Sequence, residues 1–310
     1  MRLPGLFISS MRRNRAYPGE HAWKGWLYLL PAFLVYFVFT FLPILETIRT
    51  SLFDWDGISP TRQFVGLQNY TRLIADSQFL TAFFHNLVFI IFYSIIPILV
   101  GLLLASLLTR RKIKGFTFFR TVLFIPQVIS MVVVGVVWRW IFNPTFGPLN
   151  VLLRTAGLQI WAKAWLGDFT WALPAVGSIG TWVQYGFCMI LFLAGMQRIS
   201  EEYYEASSLD GANAFQQFIH ITIPGLRPEI GVALITTIIA ALRVFDLVFT
   251  TTRGGPGDST LVTGFLIYRS AFLQKDMGYA SAIATILTVV ILSISLLIRR
   301  FSSDSKGEPA

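Results

Sequence analysis

The chain has 310 residues with a formal net charge of +9, and 55% of its residues are apolar. Charged residues make up only 13%, against ~25% in ordinary soluble proteins. So few charged side chains cannot cover a water-exposed surface, which excludes a soluble globular protein and predicts that most of the chain lies in a lipid membrane. The positive charges fall in short clusters between long apolar runs, which favours membrane topology signals over a nucleic-acid interface.

Six apolar windows are long enough to cross a bilayer as helices, which takes about 20 residues each. They comprise residues 26–45, 87–108, 121–138, 172–197, 230–252 and 277–298. The sequence therefore predicts an all-α integral membrane protein with six transmembrane helices. Residues 1–22 are then an N-terminal tail, residues 23–300 the transmembrane domain and residues 301–310 a C-terminal tail.

The orientation of these helices follows from the Lys and Arg residues beside them, because cytoplasmic segments carry an excess of both. If the N-terminus is inside, the inner segments hold more Lys and Arg than the outer segments do. We therefore predict that both tails are cytoplasmic and that residues 50–80 and 145–168 are outside. The expected location is the cytoplasmic membrane of the cell.

Several kinds of catalytic chemistry are missing from the sequence. No Gly-Lys-Ser/Thr occurs, so the chain has no phosphate-binding loop of that type. The three histidines are far apart and match no metal spacing. The single cysteine, Cys188, excludes an intramolecular disulfide and is expected to be a small buried apolar residue. A transport or structural role is therefore favoured over catalysis, and no cofactor or metal is expected in this chain.

Residues 198–228 form a polar segment between the fourth and fifth predicted helices. Ser200 is a good N-cap, and acidic residues follow it in the first turn of a helix. That helix should stop at Asp210-Gly211, a turn dipeptide, and a second helix should follow and end before Pro224. Two short helices bent at a glycine are either a docking element or a loop that merely covers the bundle.

This segment resembles the EAA motif of binding-protein-dependent ABC importer permeases, Glu-Ala-Ala-x3-Gly-x9-Ile-x-Leu-Pro. The matching residues are Glu205-Ala206-Ser207, Gly211 and Ile221-Thr222-Ile223-Pro224. Ser207 and Ile223 replace the alanine and leucine of the motif, and the spacing is otherwise kept. In that family the loop enters a cleft on an ATPase subunit, so we refer to residues 198–228 as the coupling loop.

Further stretches resemble the carbohydrate branch of the same family. They are Leu30-Pro31-Ala32, Phe64-Val65-Gly66-Leu67-Gln68-Asn69-Tyr70, Phe124-Ile125-Pro126, the segment from Trp138 to Pro144, Phe245-Asp246, and Gly254-Gly255-Pro256-Gly257. The resemblance implies a type I importer (MetI-like) permease fold and import of a sugar or oligosaccharide. It also implies a second permease subunit, two ABC ATPase subunits that bind ATP and Mg²⁺, and an extracytoplasmic solute-binding protein.

The resemblance places ATPase coupling on the loop and no catalytic residue in this chain. The implied coupling residues are Glu201, Glu205, Ala206, Ser207, Asp210, Gly211, Ala212, Phe215, Ile221 and Pro224. Small Ala206 permits close approach, Gly211 allows the bend, and Glu205 can pair with a partner cation. The alternative is that Gly211 serves only as a helix C-cap.

A second group of candidates lies within the predicted helices. Placing the charged side chains of Arg243 and Asp246 in a membrane costs free energy. Either they line a polar pathway together with Phe245, or they neutralise each other. Four further residues offer sugar-type hydrogen bonding or helix–helix contacts, namely Gln127, Ser130, Gln184 and Tyr185. Alternative functions are an ATP-independent secondary transporter or channel, a structural membrane protein, or an importer of a sugar-like phosphate such as glycerol phosphate.

Overall fold

The computed structural model describes residues 22–109 and 115–303. Most of this part of the chain is helical, and its two short strands, β1 (Phe53–Asp54) and β2 (Gln63–Phe64), form one antiparallel hairpin. Most of the two predicted tails lies outside the described residues.

Sixteen helical segments follow one another along the described chain. They are α1 (Ala22–Tyr36), α2 (Leu42–Thr50), α3 (Gln68–Ala75), α4 (Ser77–Ile90), α5 (Ile96–Thr109), α6 (Phe116–Val128), α7 (Met131–Ile141), α8 (Pro148–Thr155), α9 (Ala172–Met196), α10 (Glu201–Leu209), α11 (Ala214–Gln217), α12 (Ile223–Gly225), α13 (Arg227–Leu242), α14 (Asp246–Thr251), α15 (Thr263–Tyr268) and α16 (Met277–Ser303). Wider π-helical turns are found at Phe37–Phe41, Ile91–Ile95, Phe218–Thr222 and Arg269–Leu273, and a 3₁₀ turn at Gln159–Trp161.

The chain divides into two compact units, Met1–Glu46 and Thr47–Ala310. The described part of the first unit is α1, the π-helical turn after it and the start of α2. Phe33, Phe37 and Phe41 stack along one side of this helical segment, with ring centroids 6.1 and 5.4 Å apart. Spacing of four residues places such rings above one another on a helix.

Four helical stretches of the described chain are long and apolar enough to cross a membrane without a sharp bend. They are Trp26–Thr50, Ser77–Thr109, Ala172–Met196 and Met277–Arg300. Two further pairs meet the same criterion jointly but are bent, by 97° for α6 with α7 and by 71° for Ala214–Gly225 with α13. The described chain thus has four to six membrane-spanning elements.

Two of the predicted windows are broken in the structure. Residues 121–138 bend at Ile129 and Ser130, which are extended, so α7 does not continue α6. Instead α7 crosses α14 so closely that a Cβ on Gly135 would lie 1.9 Å from the Thr250 hydroxyl oxygen. Packing between α7 and α14 thus outweighs the apolar pattern of residues 121–138, which by itself predicts one unbroken helix. The window 230–252 is likewise interrupted, between the end of α13 and the start of α14.

Helix α9 is at the centre of the second unit. It packs against α5, α6 and the turn Ile91–Ile95, and most of its apolar window is buried. Gly180 allows this approach, because a Cβ there would lie 2.0 Å from the Tyr93 ring. Small residues permit such close helix contacts within membranes. Cys188 on the same helix is buried, as predicted.

The hairpin of β1 and β2 encloses a turn that is held by a carboxylate. Asp56 accepts hydrogen bonds from the Ser59 hydroxyl and from the backbone N–H groups of Ser59 and Ile58. These bonds, the Ser59 hydroxyl first, lower the pKa of Asp56 to about 2. The Arg62 guanidinium carbon lies 3.9 Å from the centroid of the Trp55 ring, a cation–π contact within the same turn.

Candidate coupling loop and transport cavity

The first half of the coupling loop is a capped helix. The Ser200 hydroxyl accepts a hydrogen bond from the Glu202 N–H at the start of α10, which confirms the predicted N-cap. The helix ends at the predicted turn, where Gly211 has a φ of +81°. In that turn the Ala212 N–H donates to the Ser207 carbonyl over 2.9 Å. A left-handed glycine directly after a helix reverses the chain at little cost.

The second half of the loop begins with a capping box that the sequence analysis missed. The Asn213 side chain accepts from the N–H groups of Phe215 and Gln216, and the Gln216 side chain accepts from the Asn213 N–H. The Asn-x-x-Gln spacing is a readable signal for this arrangement.

The predicted end of this helix before Pro224 is wrong. The helical segment continues through a π-helical turn to Gly225 and includes Pro224. Pro224 is the second residue of the short α12, directly after the π-helical turn, and it does not end the helical segment at this position.

Side chains join the two halves of the loop to each other. The hydroxyls of Tyr204 and Thr222 are hydrogen-bonded at 2.9 Å. Gln217 donates to the Ser208 hydroxyl at 2.8 Å, to the Ser207 hydroxyl at 3.1 Å and to the Tyr204 carbonyl at 3.3 Å. Because every one of these bonds lies within the loop, α10 and the segment after Gly211 form one braced unit.

The braced unit exposes large apolar side chains. Tyr203 is 66% exposed, Leu209 is 90% exposed and Phe215 is 71% exposed. Of the predicted coupling residues, the exposed ones are Glu201, Glu205, Ala206, Asp210, Gly211, Phe215 and Pro224, and the half-buried ones are Ser207, Ala212 and Ile221. Ser207, Asp210, Gly211, Ala212 and Ile221 together line a shallow cavity of about 300 Å³. Glu201 instead lines a separate cavity with Tyr204 and Thr222.

A second site lies where α13 gives way to α14. Asn86 on α4 is fully buried, and its amide donates to the carbonyls of Ala241 and Leu242 at 2.9 and 3.2 Å. Its side-chain oxygen accepts from the Thr263 N–H, at the start of α15, over 2.8 Å. One side chain therefore satisfies backbone groups at two helix ends, as an interrupted helix in a membrane requires.

Three predicted pathway residues meet at this helix break. Arg243, Phe245 and Asp246 line a cavity of about 340 Å³. Tyr93 lines it as well, and the buried Tyr93 hydroxyl has no hydrogen-bond partner among the described residues. Tyr93 was not predicted from the sequence, although a tyrosine inside an otherwise apolar helical stretch is itself a signal.

The structure places Arg243 and Asp246 beside the same cavity. Both side chains are exposed beside the cavity, and within residues 22–109 and 115–303 no ion pair joins them. In this arrangement the two side chains do not neutralise each other, and a role in the solute pathway stays a prediction.

The other four pathway candidates do not line this cavity in the described structure. Gln127 lies near the end of α6, with its side-chain carbonyl buried and without a partner among the described residues. Ser130 is exposed in the bend between α6 and α7. Gln184 is buried and Tyr185 half-buried, both on α9. Helix–helix contacts are the simpler interpretation of Gln184 and Tyr185.

A bundle of apolar helices with a cavity at a helix break and an exposed, braced loop suits a membrane transport protein. Residues 97–306 match the family described as the inner membrane component of binding-protein-dependent transport systems. The chain belongs to this family.

Relatives and solved structures agree with this assignment. The chain is 39% identical over 284 residues to the probable ABC transporter permease protein YurN of Bacillus subtilis, covering 91% of this chain and 97% of that protein. It is 34% identical over 283 residues to the trehalose/maltose transport system permease protein MalF of Thermococcus litoralis, covering 90% and 95% of the two chains.

A crystal structure of a bacterial ABC transporter involved in the import of the acidic polysaccharide alginate has the same fold. One of its chains is 25% identical, with a TM-score of 0.78 over 91% of this chain and 96% of that chain. The predicted all-α importer-permease fold is therefore confirmed, and the chain is a multi-pass membrane component of a transporter rather than an enzyme.

Proposed function

We propose that this chain is the membrane-spanning permease of an ATP-driven importer of a sugar or oligosaccharide in the cytoplasmic membrane. The family description supports a binding-protein-dependent transporter, and the trehalose/maltose relative and the alginate transporter support a carbohydrate as its solute. The cavity supports it too, because a few polar groups among apolar and aromatic walls suit a hydroxyl-rich ligand.

The proposed complex contains a second permease subunit, two ABC ATPase subunits and an extracytoplasmic solute-binding protein. ATP and Mg²⁺ bind to the ATPase subunits, and this chain contributes no catalytic residue. The two permeases together enclose the pathway, with Arg243, Phe245, Asp246 and Tyr93 contributed by this chain.

The observation that carries the proposal is the exposed face of the braced coupling loop. Leu209, Phe215 and the acidic Glu205 are all exposed on this loop, a combination that suits a partner surface with an apolar cleft and a cation. A loop that only covered the bundle would turn such side chains inward.

The decisive experiment purifies the complex through a tag on this chain and measures ATP hydrolysis in proteoliposomes with and without loaded binding protein. We expect a co-purifying P-loop ATPase that loaded binding protein stimulates, and loss of this stimulation in Glu205→Lys by charge repulsion. Glu202→Lys, on the same helix but outside the motif, is the matched control. Transport by the purified chain alone, without an ATPase, would establish a secondary transporter instead.

The predicted orientation has its own test. Ile58 is 75% exposed in the hairpin turn that we place outside the membrane. Ile58→Cys in a Cys188→Ala background should react with an impermeant maleimide in intact cells. Labelling only after permeabilisation would reverse the topology.

A further inference from the structure

The two ends of the coupling loop are joined by an ion pair. Arg198 follows the end of α9 by two residues, and Glu229 lies in the first turn of α13. An Arg198 guanidinium nitrogen pairs with Glu229 Oε1. The pair, called the clasp below, thus connects the residue at which the loop begins with the residue just beyond its end.

The two partners of the clasp differ in burial. The Arg198 side chain is 66% exposed, whereas that of Glu229 is only 10% exposed. Glu229 Oε2 is buried without a hydrogen-bond partner among the described residues. The positive end of the α13 dipole favours a carboxylate here, but a buried charge still depends strongly on its partner. An apolar side chain would fill the position at lower cost, so stability alone does not account for Glu229.

The backbone is shaped to admit the carboxylate. A Cβ on Gly195, in the last turn of α9, would lie 2.8 Å from Glu229 Cγ and Cδ and 2.6 Å from Leu226 Cδ2. Leu226 directly precedes α13 and is fully buried. The end of α9 and the start of α13 are therefore in direct contact beneath the loop.

Helix α13 connects the clasp with the transport cavity. It carries Glu229 in its first turn and ends at Leu242, directly before Arg243 of the cavity lining. Sixteen residues of α-helix span about 24 Å at 1.5 Å per residue. A displacement at the clasp thus reaches the cavity through one rigid element.

We infer that Arg198 and Glu229 are positioning residues for energy coupling. The inference rests on the proposed function of the loop as the contact to an ATPase. The clasp closes the base of the loop, and the bonds from Tyr204 and Gln217 brace its body. Movement of the loop is therefore passed to α9 and α13 together, instead of being absorbed by spreading of its two ends.

The test uses the purified complex of permease, partner permease, ATPase and binding protein in proteoliposomes. Its variants are Arg198→Gln, Glu229→Gln and the double variant, which replace each charged group by a neutral amide. Two quantities are measured on equal amounts of assembled complex: solute transported per ATP hydrolysed, and the apparent melting temperature. The solute probe is the sugar found bound to the purified binding protein, in radiolabelled form.

The two quantities should respond differently. Arg198→Gln leaves Glu229 charged, buried and unpaired, so its melting temperature should fall furthest, and adding Glu229→Gln should restore part of it. Solute per ATP should fall about fivefold or more in all three variants, because each lacks the clasp. Arg198→Lys keeps the positive charge, so this variant should retain most of the wild-type ratio of solute transported to ATP hydrolysed.

An unchanged ratio in all three variants, with only the melting temperature altered, would reduce the clasp to a structural ion pair. A double variant whose loss in ratio is the product of the single losses would mean that the residues act independently. If the proposed function itself were wrong, the wild-type complex would contain no ATPase. That result differs from every outcome that would contradict the role of the clasp.

Discussion

The coupling loop and the helix break at the cavity are both bends between helices, but they are held in different ways. The loop is braced by residues at most 18 positions apart, as in the bond between Tyr204 and Thr222. The break is held by Asn86, which is 155 positions from Ala241 and 177 from Thr263. The loop can therefore keep its shape while the bundle rearranges, whereas the break depends on how α4 packs against α13 and α15.

This difference suits the two proposed roles. A coupling element has to transmit force without deforming, and local hydrogen bonds give it that stiffness. A transport cavity has to change shape, and a helix break that is held from a neighbouring helix changes when the helices shift. The following predictions separate the two regions experimentally.

The largest effect is expected for Asn86→Leu, which keeps the shape of the side chain and removes its hydrogen bonds. Two carbonyls and one N–H would remain buried and unpaired, at roughly 1–3 kcal/mol each. The apparent melting temperature of the detergent-solubilised complex should fall strongly, and assembled complex should become scarce.

Asn213→Leu is the matched control, because it removes a local cap that lies entirely within the loop. Loss of an N-cap costs about 1 kcal/mol. The melting temperature should therefore change little. Equal losses for Asn86→Leu and Asn213→Leu would contradict the distinction between distant and local bracing.

Gly211→Val should abolish transport while the protein inserts normally. The φ of +81° is unfavourable for valine, although no atom lies within 4 Å of the added Cβ. Gly157→Val imposes the same strain at a φ of +77° in equally open space, but in the segment that we place outside. Binding-protein-stimulated ATP hydrolysis should be lost in the first variant and kept in the second. If stimulated ATP hydrolysis were lost in both variants, or in neither, the coupling loop would have no role in stimulation that distinguishes it from the outer segment.

Arg243→Ala and Asp246→Ala should each reduce uptake, by about tenfold if each charge forms a hydrogen bond to the solute. Because no ion pair joins the two side chains within the described residues, their effects should be independent. Uptake rates of the single and double variants measure this directly. A double variant better than Arg243→Ala alone would show that the residues neutralise each other after all.

The smallest effect is expected for Tyr93→Phe. Its buried hydroxyl has no partner among the described residues, so removing it should not lower the melting temperature. A hydroxyl that binds solute contributes about 1 kcal/mol, so the KM for uptake should rise several-fold. Tyr185→Phe is the control, because Tyr185 lies outside the cavity lining. A KM that changes only in Tyr185→Phe would move the solute site to α9.

The features that were predictable from the sequence are those whose signals lie within a few residues. Ser200, Asp210-Gly211 and the long apolar windows are of this kind, and so is the EAA spacing. The bend after α6, the role of Asn86 and the unpaired Tyr93 hydroxyl arise from contacts between distant segments. The predicted helix end before Pro224 was wrong because proline is not an absolute stop, and here the helical segment continues from a π-helical turn through Pro224.

The most direct test of energy coupling through this loop is site-specific photo-crosslinking at Leu209, which is 90% exposed. A photoreactive residue at position 209 in living cells should crosslink to a P-loop ATPase that mass spectrometry identifies. The same residue at Ile160, 84% exposed in the segment placed outside, should give no such product. Crosslinks from position 209 only to lipid, to this chain or to an extracytoplasmic protein would contradict energy coupling through this loop.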